Sequence, residues 1–287
     1  MQDTYRVKCA QLDLLKELKR VCQKNNLQYF LVGGTLLGAI RHNGFIPWDD
    51  DIDVAMMRDQ YDKFMIACQQ DLDDAYELTD WYTDPLSPIP FAKLKIKGSH
   101  YTEKLAQKTR INDEIFIDIF PLDAIPDNHF WQKQLWNKTY LIKKILLLKC
   151  GIAIDENKNI IKKILYLILR FFSNVRSIEG WKHRYDEIVE RYSDINSKYV
   201  ISYGGVYSFA KERKSRRMLS EFEYHMFEDD WFLIPKQYDA YLRSHYGDYM
   251  QFPPQSQREG RHNILYISLG DYEVKSKLKS RDENLVE

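Results

Sequence analysis

The stretch LVGGTLLGAIRHNGFIPWDDDIDVAM, residues 31–56, decides how the rest of the chain is read. A glycine pair, Gly33-Gly34, closes an apolar run, and four aspartates, Asp49, Asp50, Asp51 and Asp53, then fall within five positions. Like charges so close repel, and a carboxylate buried without a partner costs on the order of several kcal/mol. Yet apolar residues flank the run on both sides. Alternation over DIDVAM (51–56) predicts a strand with Asp51 and Asp53 on one face. Asp50 then points away, and Asp49 shares the face of Asp51 if the strand starts early. The plain alternative is a solvated acidic turn. It suits Asp49 and Asp50 better than Asp51 and Asp53, because Ile52, Val54 and Ala55 ask for burial.

Working outward, residues 3–25 carry Val7, Leu14, Leu15, Leu18 and Cys22 at helical spacing. LQYFLV (27–32) predicts a buried strand. TLLGAI (35–40) predicts a helix start with Thr35 as N-cap, and RDQYDKFMIACQQ (58–70) another helix. YELTD (76–80), FAKLKIK (91–97) and EIFIDIF (114–120) predict strands, and TDPLSPIP (83–90) a loop. This order is α/β or α+β with a mixed sheet. After about residue 130 the pattern becomes helical and basic: residues 133–170 hold nine Lys/Arg against Asp155 and Glu156. We therefore expect a catalytic core over 1–130, a mostly helical region over 131–270 and a frayed tail over 271–287.

Composition sets the outer limits. The 287 residues are 44% hydrophobic and 14% aromatic, which is globular rather than disordered. Lys plus Arg equals Asp plus Glu at 42 each, so the overall charge offers no nucleic-acid footprint. The scattered cysteines form no zinc motif and read as buried free thiols of a reducing compartment. The polar N-terminus lacks a signal-peptide core, and no apolar run reaches the roughly 18 residues that span a bilayer. The expected location is cytoplasmic.

Three features carry chemistry. Gly-Gly after a strand lets backbone approach a ligand closely and opens a helix with free N–H groups, a place for phosphate; otherwise it is only a turn. Asp51 and Asp53 on one face suit Mg²⁺ or Mn²⁺, which take oxygen ligands and substrate phosphates. Asp118, between Ile117 and Ile119, needs a strong partner, whether a metal, a backbone N–H or an arginine.

Together these features resemble the nucleotidyltransferase superfamily with the polymerase-beta-like fold. GGTLLGAIRHNGFIPWDDDIDV followed by IDIFPLD resembles the LicD family, itself similar to the fukutin-related proteins. A weaker match continues through YLRSHYGDYMQFPPQSQREGRH (241–262). The resemblance implies an α+β nucleotidyltransferase core with a mixed sheet. It also implies transfer of a phospho-alcohol, phosphorylcholine foremost, from a CDP-activated donor to a bacterial surface glycan, with release of CMP. Ethanolamine, glycerol or ribitol phosphate would use the same chemistry.

On that reading Asp51, Asp53 and Asp118, with Asp49 in reserve, hold the metal, and Asp118 alternatively accepts the proton of the attacking hydroxyl. Gly33, Gly34 and Thr35 cradle phosphate, and Arg41, His42, Lys93, Arg258 and His262 are the candidate cations around it. Each has a plainer reading as a surface salt bridge or structural hydrogen-bonder. Trp48, Trp81 and Tyr82 are candidates for a quaternary-ammonium cage, against the simpler role of core aromatics. The basic helices over 133–170 either bury a core or meet a membrane surface that carries a lipid-linked acceptor. Two rivals stand beside this reading. One is a nucleotidyltransferase moving an NMP from an NTP, and the other is a non-catalytic membrane-associated binding module.

Overall fold

A computed structural model of the chain describes residues 2–103, 113–152, 160–192, 196–258, 260 and 264–279. The first helix, α1 (Gln2–Lys24), buries Val7, Leu14, Leu15, Leu18 and Cys22, the stripe its spacing predicts. It lies against a mixed sheet built from β1 (Phe30–Leu31), β2 (Asp53–Met57), β3 (Tyr76–Thr79), β4 (Ala92–Ile96) and β6 (Phe116–Ile125) in the order β1-β2-β6-β4-β3. The intervening β5 (His100–Glu103) pairs instead with a late strand, β11 (Ile264–Ser268). β2 and β6 run parallel and the other pairs antiparallel. The fold is thus α+β with a mixed sheet. Two helices flank β2 in the chain, α2 (Gly33–His42) before it and α3 (Arg58–Asp71) after it.

Pro121 sits inside β6, where a strand proline normally disrupts pairing. Its position explains the tolerance. β4 pairing ends at Ala92 opposite Ile119, and β7 (Tyr199–Ile201) begins opposite Asp123 to Ile125. Pro121 falls in the gap between these two partners, where no N–H is needed, while β2 continues on the other side.

The helical region is shorter than expected. α4 (His129–Lys149), α5 (Ile160–Ser173) and α6 (Ile178–Glu190) account for it. The chain then returns to strands: β7 and β8 (Arg213–Ser215) extend the main sheet, and β9 (Phe222–Phe227) and β10 (Asp230–Pro235) form a hairpin. Phe227, Phe232 and Ile234 of that hairpin join the same core as α1 and β2, so residues after 200 complete the first core rather than forming a separate helical body. A second apolar cluster, with Trp81, Ile125, Leu146, Tyr185 and Ile201, sits where α4 and α6 pack. The tail expected to fray is held as far as it is described. Asp13 of α1 accepts from the Lys275 N–H at 2.8 Å, Glu228 accepts from the Lys279 N–H at 2.9 Å, and Ser276 is buried. The four cysteines are free and buried, and no helix among the described residues is long and apolar enough to cross a membrane.

One ion pair ties α3 to the sheet. Arg58 meets Asp123 of β6 through two hydrogen bonds, at 2.7 and 3.1 Å. Burial pulls the guanidinium pKa down, but the charge and hydrogen bonds of Asp123 outweigh it and raise it above its ordinary value. Asp123 is only 3% exposed, so removing it strands a positive charge. Asp123→Ala is expected to lower stability by about 3 kcal/mol in urea unfolding. The Arg58→Met/Asp123→Leu double variant is expected to lose less than the single one. A single-variant loss under about 0.5 kcal/mol, the size of an exposed pair's contribution, would show that the pair is solvated.

Candidate active site

The sheet register brings three charged residues into one row. Asp53 on β2 stands opposite Asp118 on β6, and Asp118 opposite Lys93 on β4. Directly opposed residues share a face, so the row is one surface. Lys93 Nζ lies 2.7 Å from Asp118 Oδ1 and 3.1 Å from the centre of the Phe116 ring. The partner that Asp118 requires is therefore a lysine on the adjacent strand β4, a cation expected from sequence to meet phosphate.

The acidic loop is tied down from behind. Lys8 of α1 donates to the carbonyls of Ile46 and Pro47 at 3.2 and 3.0 Å. Gln11 and the Tyr101 hydroxyl both donate to the Asp50 carbonyl, at 2.9 and 3.2 Å. Ile52 is fully buried, and its carbonyl accepts from the Asp118 N–H at 2.9 Å. These bonds fix the backbone and leave Asp49, Asp51 and Asp53 to line a cavity of about 400 Å³.

The glycine pair makes room for those acids. Gly33 has φ of +56°, and a Cβ there would lie 2.6 Å from Asp53 Oδ2. A Cβ on Gly34 would lie 2.3 Å from Asp49 Oδ2. Two carboxylates thus crowd the N-terminus of α2, where the helix dipole and unsatisfied N–H groups favour negative charge. Thr35 is not the N-cap; that position is Val32, with no side-chain cap. Thr35 is buried one turn in, and its hydroxyl accepts the Asp53 N–H at 2.8 Å. It positions Asp53.

Asp51, Asp53 and Asp118 line one cavity beside the first. Among the described residues, the group whose oxygens lie within 4.8 Å of one another is Asp49, Asp50 and Asp51. The reason is local. The strand begins only at Asp53, and a turn closed by the Asp49 N–H to the Ile46 carbonyl at 3.0 Å precedes it. Asp50 keeps one oxygen near those of Asp49 and Asp51 but does not line their cavity; its carboxylate faces Gly260, where a Cβ would lie 2.5 Å from Asp50 Oδ2, so it points away as alternation predicts. An all-carboxylate oxygen set of this kind fits a hard divalent cation such as Mg²⁺ or Mn²⁺.

The far wall of the cavity comes from the C-terminal part of the chain: Tyr207, Tyr246, Tyr249, Phe252 and Gln257. Tyr246 ends the helix Tyr238–Tyr246. Arg41 anchors this wall, donating to the carbonyls of Tyr249 and Gln251 at 2.7 and 3.3 Å with its guanidinium 4.7 Å from the Phe252 ring. Burial lowers the Arg41 pKa, with Arg258 adding to that and Asp49 opposing it. Arg258 lies over both Trp48 and Phe252 at 5.4 Å, and His42 meets the same two rings edge-on. Arg41, His42, Trp48 and Arg258 thus gather around Phe252, while Lys93 sits apart on the sheet. His262 lies outside the described residues.

The suggested grouping of Trp48 with Trp81 and Tyr82 does not form. Trp81 packs on Tyr185 of α6 in the second cluster, and Tyr82 bonds Asp186. The tyrosines that do accompany Trp48 went unnoticed in the sequence. Their available signal was the aromatic-rich SYGGVYS (202–208) around a second glycine pair, and the tyrosines of SHYGDYMQF (244–252).

Residues 26–146 match the LicD/FKTN/FKRP family, nucleotidyltransferase domain. Over 263 residues, 88% of this chain and 92% of the relative, it is 28% identical to lipopolysaccharide cholinephosphotransferase LicD of Haemophilus influenzae. Shorter matches, 48% identical over 46 residues, link 16% of the chain to 17% of the uncharacterized protein RP689 of Rickettsia prowazekii. A match of the same length and identity covers 15% of RT0683 of Rickettsia typhi.

Thr35 offers a direct check of the local geometry. Thr35→Val leaves the Asp53 N–H without its acceptor and is expected to cost about 1–3 kcal/mol in urea unfolding. Thr35→Ser, which keeps the hydroxyl, should recover most of that loss. Equal losses for the two variants would mean that packing, and not the bond to Asp53, holds the position.

Proposed function

We propose that this protein transfers phosphorylcholine from CDP-choline to a hydroxyl of a bacterial surface glycan, releasing CMP. The observation that carries the reading is the likeness to a lipopolysaccharide cholinephosphotransferase along nearly the whole chain, which includes both the acidic loop and the C-terminal wall facing it. Asp49, Asp51 and Asp53 would hold Mg²⁺, with Asp50 beside them. The metal, when bound, would neutralise charge on the donor diphosphate. The first free N–H groups of α2 face the same place and suit a phosphate oxygen. Trp48, Tyr207, Tyr246 and Tyr249 offer ring faces to a quaternary ammonium. Arg41 and Arg258 lie at the aromatic end of the cavity, within reach of the nucleotide's charge.

Asp118 acts on the acceptor. Its carboxylate, held by Lys93, takes the proton of the attacking hydroxyl. The hydroxyl oxygen bonds to the phosphorus bearing choline, and the bond from that phosphorus to the CMP oxygen breaks. The same acids would also serve an enzyme moving an NMP from an NTP; that reaction releases pyrophosphate.

The test uses CDP-choline, CDP-ethanolamine, CDP-glycerol and CDP-ribitol with Mg²⁺, scoring CMP. CDP-choline is expected to give the fastest release. Asp51→Asn and Asp53→Asn are expected to cut kcat by at least about 100-fold and to weaken Mn²⁺ binding, with unchanged melting temperature. Pyrophosphate from an NTP, or near wild-type rates in both variants, would overturn the assignment.

A membrane-facing surface accompanies this reading. On α5 and just beyond, Leu167, Ile168, Phe171, Phe172 and Val175 are 48–74% exposed, beside Arg170 and Arg176. Phe130, Trp131 and Leu141 of α4 are also more than half exposed. We assign this surface to peripheral contact with an anionic bilayer at the cytoplasmic face, where a lipid-linked acceptor and a nucleotide donor meet. The protein is expected to sediment with phosphatidylglycerol vesicles at low salt and to be released by Phe171→Ser/Phe172→Ser. No binding at low salt would sink the surface assignment and leave the chemistry untouched.

A further inference from the structure

A second cavity, of about 230 Å³, meets the first at Asp51, Asp53 and Tyr207. Asp118 lines this cavity and not the first. Its walls are largely apolar, with Phe91 and Phe120 packed at 4.3 Å between ring centres. One end is polar and buried: Ser202, Glu212, Lys214 and His245.

The second glycine pair shapes that end. A Cβ on Gly204 would lie 2.7 Å from the Phe91 ring, and one on Gly205 would lie 2.0 Å from Glu212 Oε1. Glu212 in turn accepts the Tyr207 N–H at 2.9 Å, which locks the loop over the cavity. Lys214 donates to Ser244 Oγ at 2.8 Å and lies 4.3 Å from the Tyr241 ring. Burial pulls its pKa down to about 8 and pushes Glu212 up.

The Ser202 hydroxyl is buried, lines the cavity and has no hydrogen-bond partner among the described residues. A buried hydroxyl left this way costs about 1–3 kcal/mol, so the site is built for something that supplies the partner.

We infer that this cavity seats a sugar ring of the acceptor, its face against Phe91 and Phe120, one hydroxyl at Asp118 and a second on Ser202. The inference rests on the phosphotransfer reading above. An in-line displacement needs the nucleophile and the leaving group on opposite sides of the phosphorus. Two cavities that meet at Asp51 and Asp53 provide the two approaches. The attacking hydroxyl gives its proton to Asp118, its oxygen bonds to the phosphorus, and CMP departs through the first cavity.

Val206 makes a variant that spares the fold, because it lines the mouth of this cavity and is 84% exposed. The assay uses CDP-choline, Mg²⁺ and a panel of methyl hexosides and N-acetylhexosaminides. It scores CMP release above slow donor hydrolysis, and donor affinity by calorimetry. With the best glycoside, Val206→Trp and Ser202→Ala are each expected to raise the acceptor KM about tenfold, a change of about 1.4 kcal/mol. Donor affinity and donor hydrolysis stay unchanged, and neither variant lowers the melting temperature. Unchanged acceptor KM in both variants, or a panel in which no glycoside accelerates CMP release while the donor still binds, overturns the sugar site. Failure of the wild type to bind or hydrolyse CDP-choline overturns the donor reading instead.

Discussion

The pairing of β2 with β6 is the constraint on which the site depends. Parallel register sets Asp53 beside Asp118, and the antiparallel neighbour then sets Lys93 beside Asp118. Two carboxylates on adjacent strands would repel if left alone. Each has a different answer. Asp53 is pressed against the N-terminus of α2, and Asp118 is paired with Lys93. With the two charges stabilised separately, the strands can keep fully buried neighbours such as Ile52, Val54 and Ile119. A shift of one residue in this register would turn those apolar side chains outward and the acids into the core. The hydrophobic pattern therefore enforces the chemistry.

Much of this was legible in sequence because it obeyed a period. The α1 stripe, the strands over 53–57 and 116–120, and the partner demanded by Asp118 all follow from spacing and burial. What was not legible lay where no period applies. Asp49 to Asp51 follow a turn and precede the strand, so alternation does not give the close approach of their oxygens. Thr35 looked like a cap because it follows two glycines, yet Gly33 takes a positive φ and starts the helix itself. Trp81 and Tyr82 are near Trp48 in composition but not in space, since the chain between them crosses the sheet to the α4–α6 cluster. Tertiary packing, not local preference, decided that last case.

The strands after residue 200 were hidden for a related reason. YHMF and WFLIP are short, and a strongly basic, helical stretch precedes them. Their packing against β1 and α1 is long-range and leaves no local mark beyond alternation. The same holds for Gly204 and Gly205. Both lack a positive φ in the structure, and their need for glycine comes from Phe91 and Glu212, distant or later in the chain.

This distribution bears on where specificity resides. The matched family domain, residues 26–146, contains the acids, the glycine pair and Lys93. It contains neither Tyr207, Tyr246 and Phe252 of the first cavity nor Ser202, Lys214 and His245 of the second. The shared domain thus supplies charge and a helix N-terminus, which any phosphorylated donor would meet in the same way. On the proposed reading, the choice of alcohol and acceptor falls to walls contributed by the last third of the chain and clamped onto α2 by Arg41. Proteins built this way can keep one set of acids and change their partners by changing residues outside the acidic loop. The continuity of the likeness to the Haemophilus relative beyond residue 146 is therefore as informative about substrate as the aspartates are about chemistry.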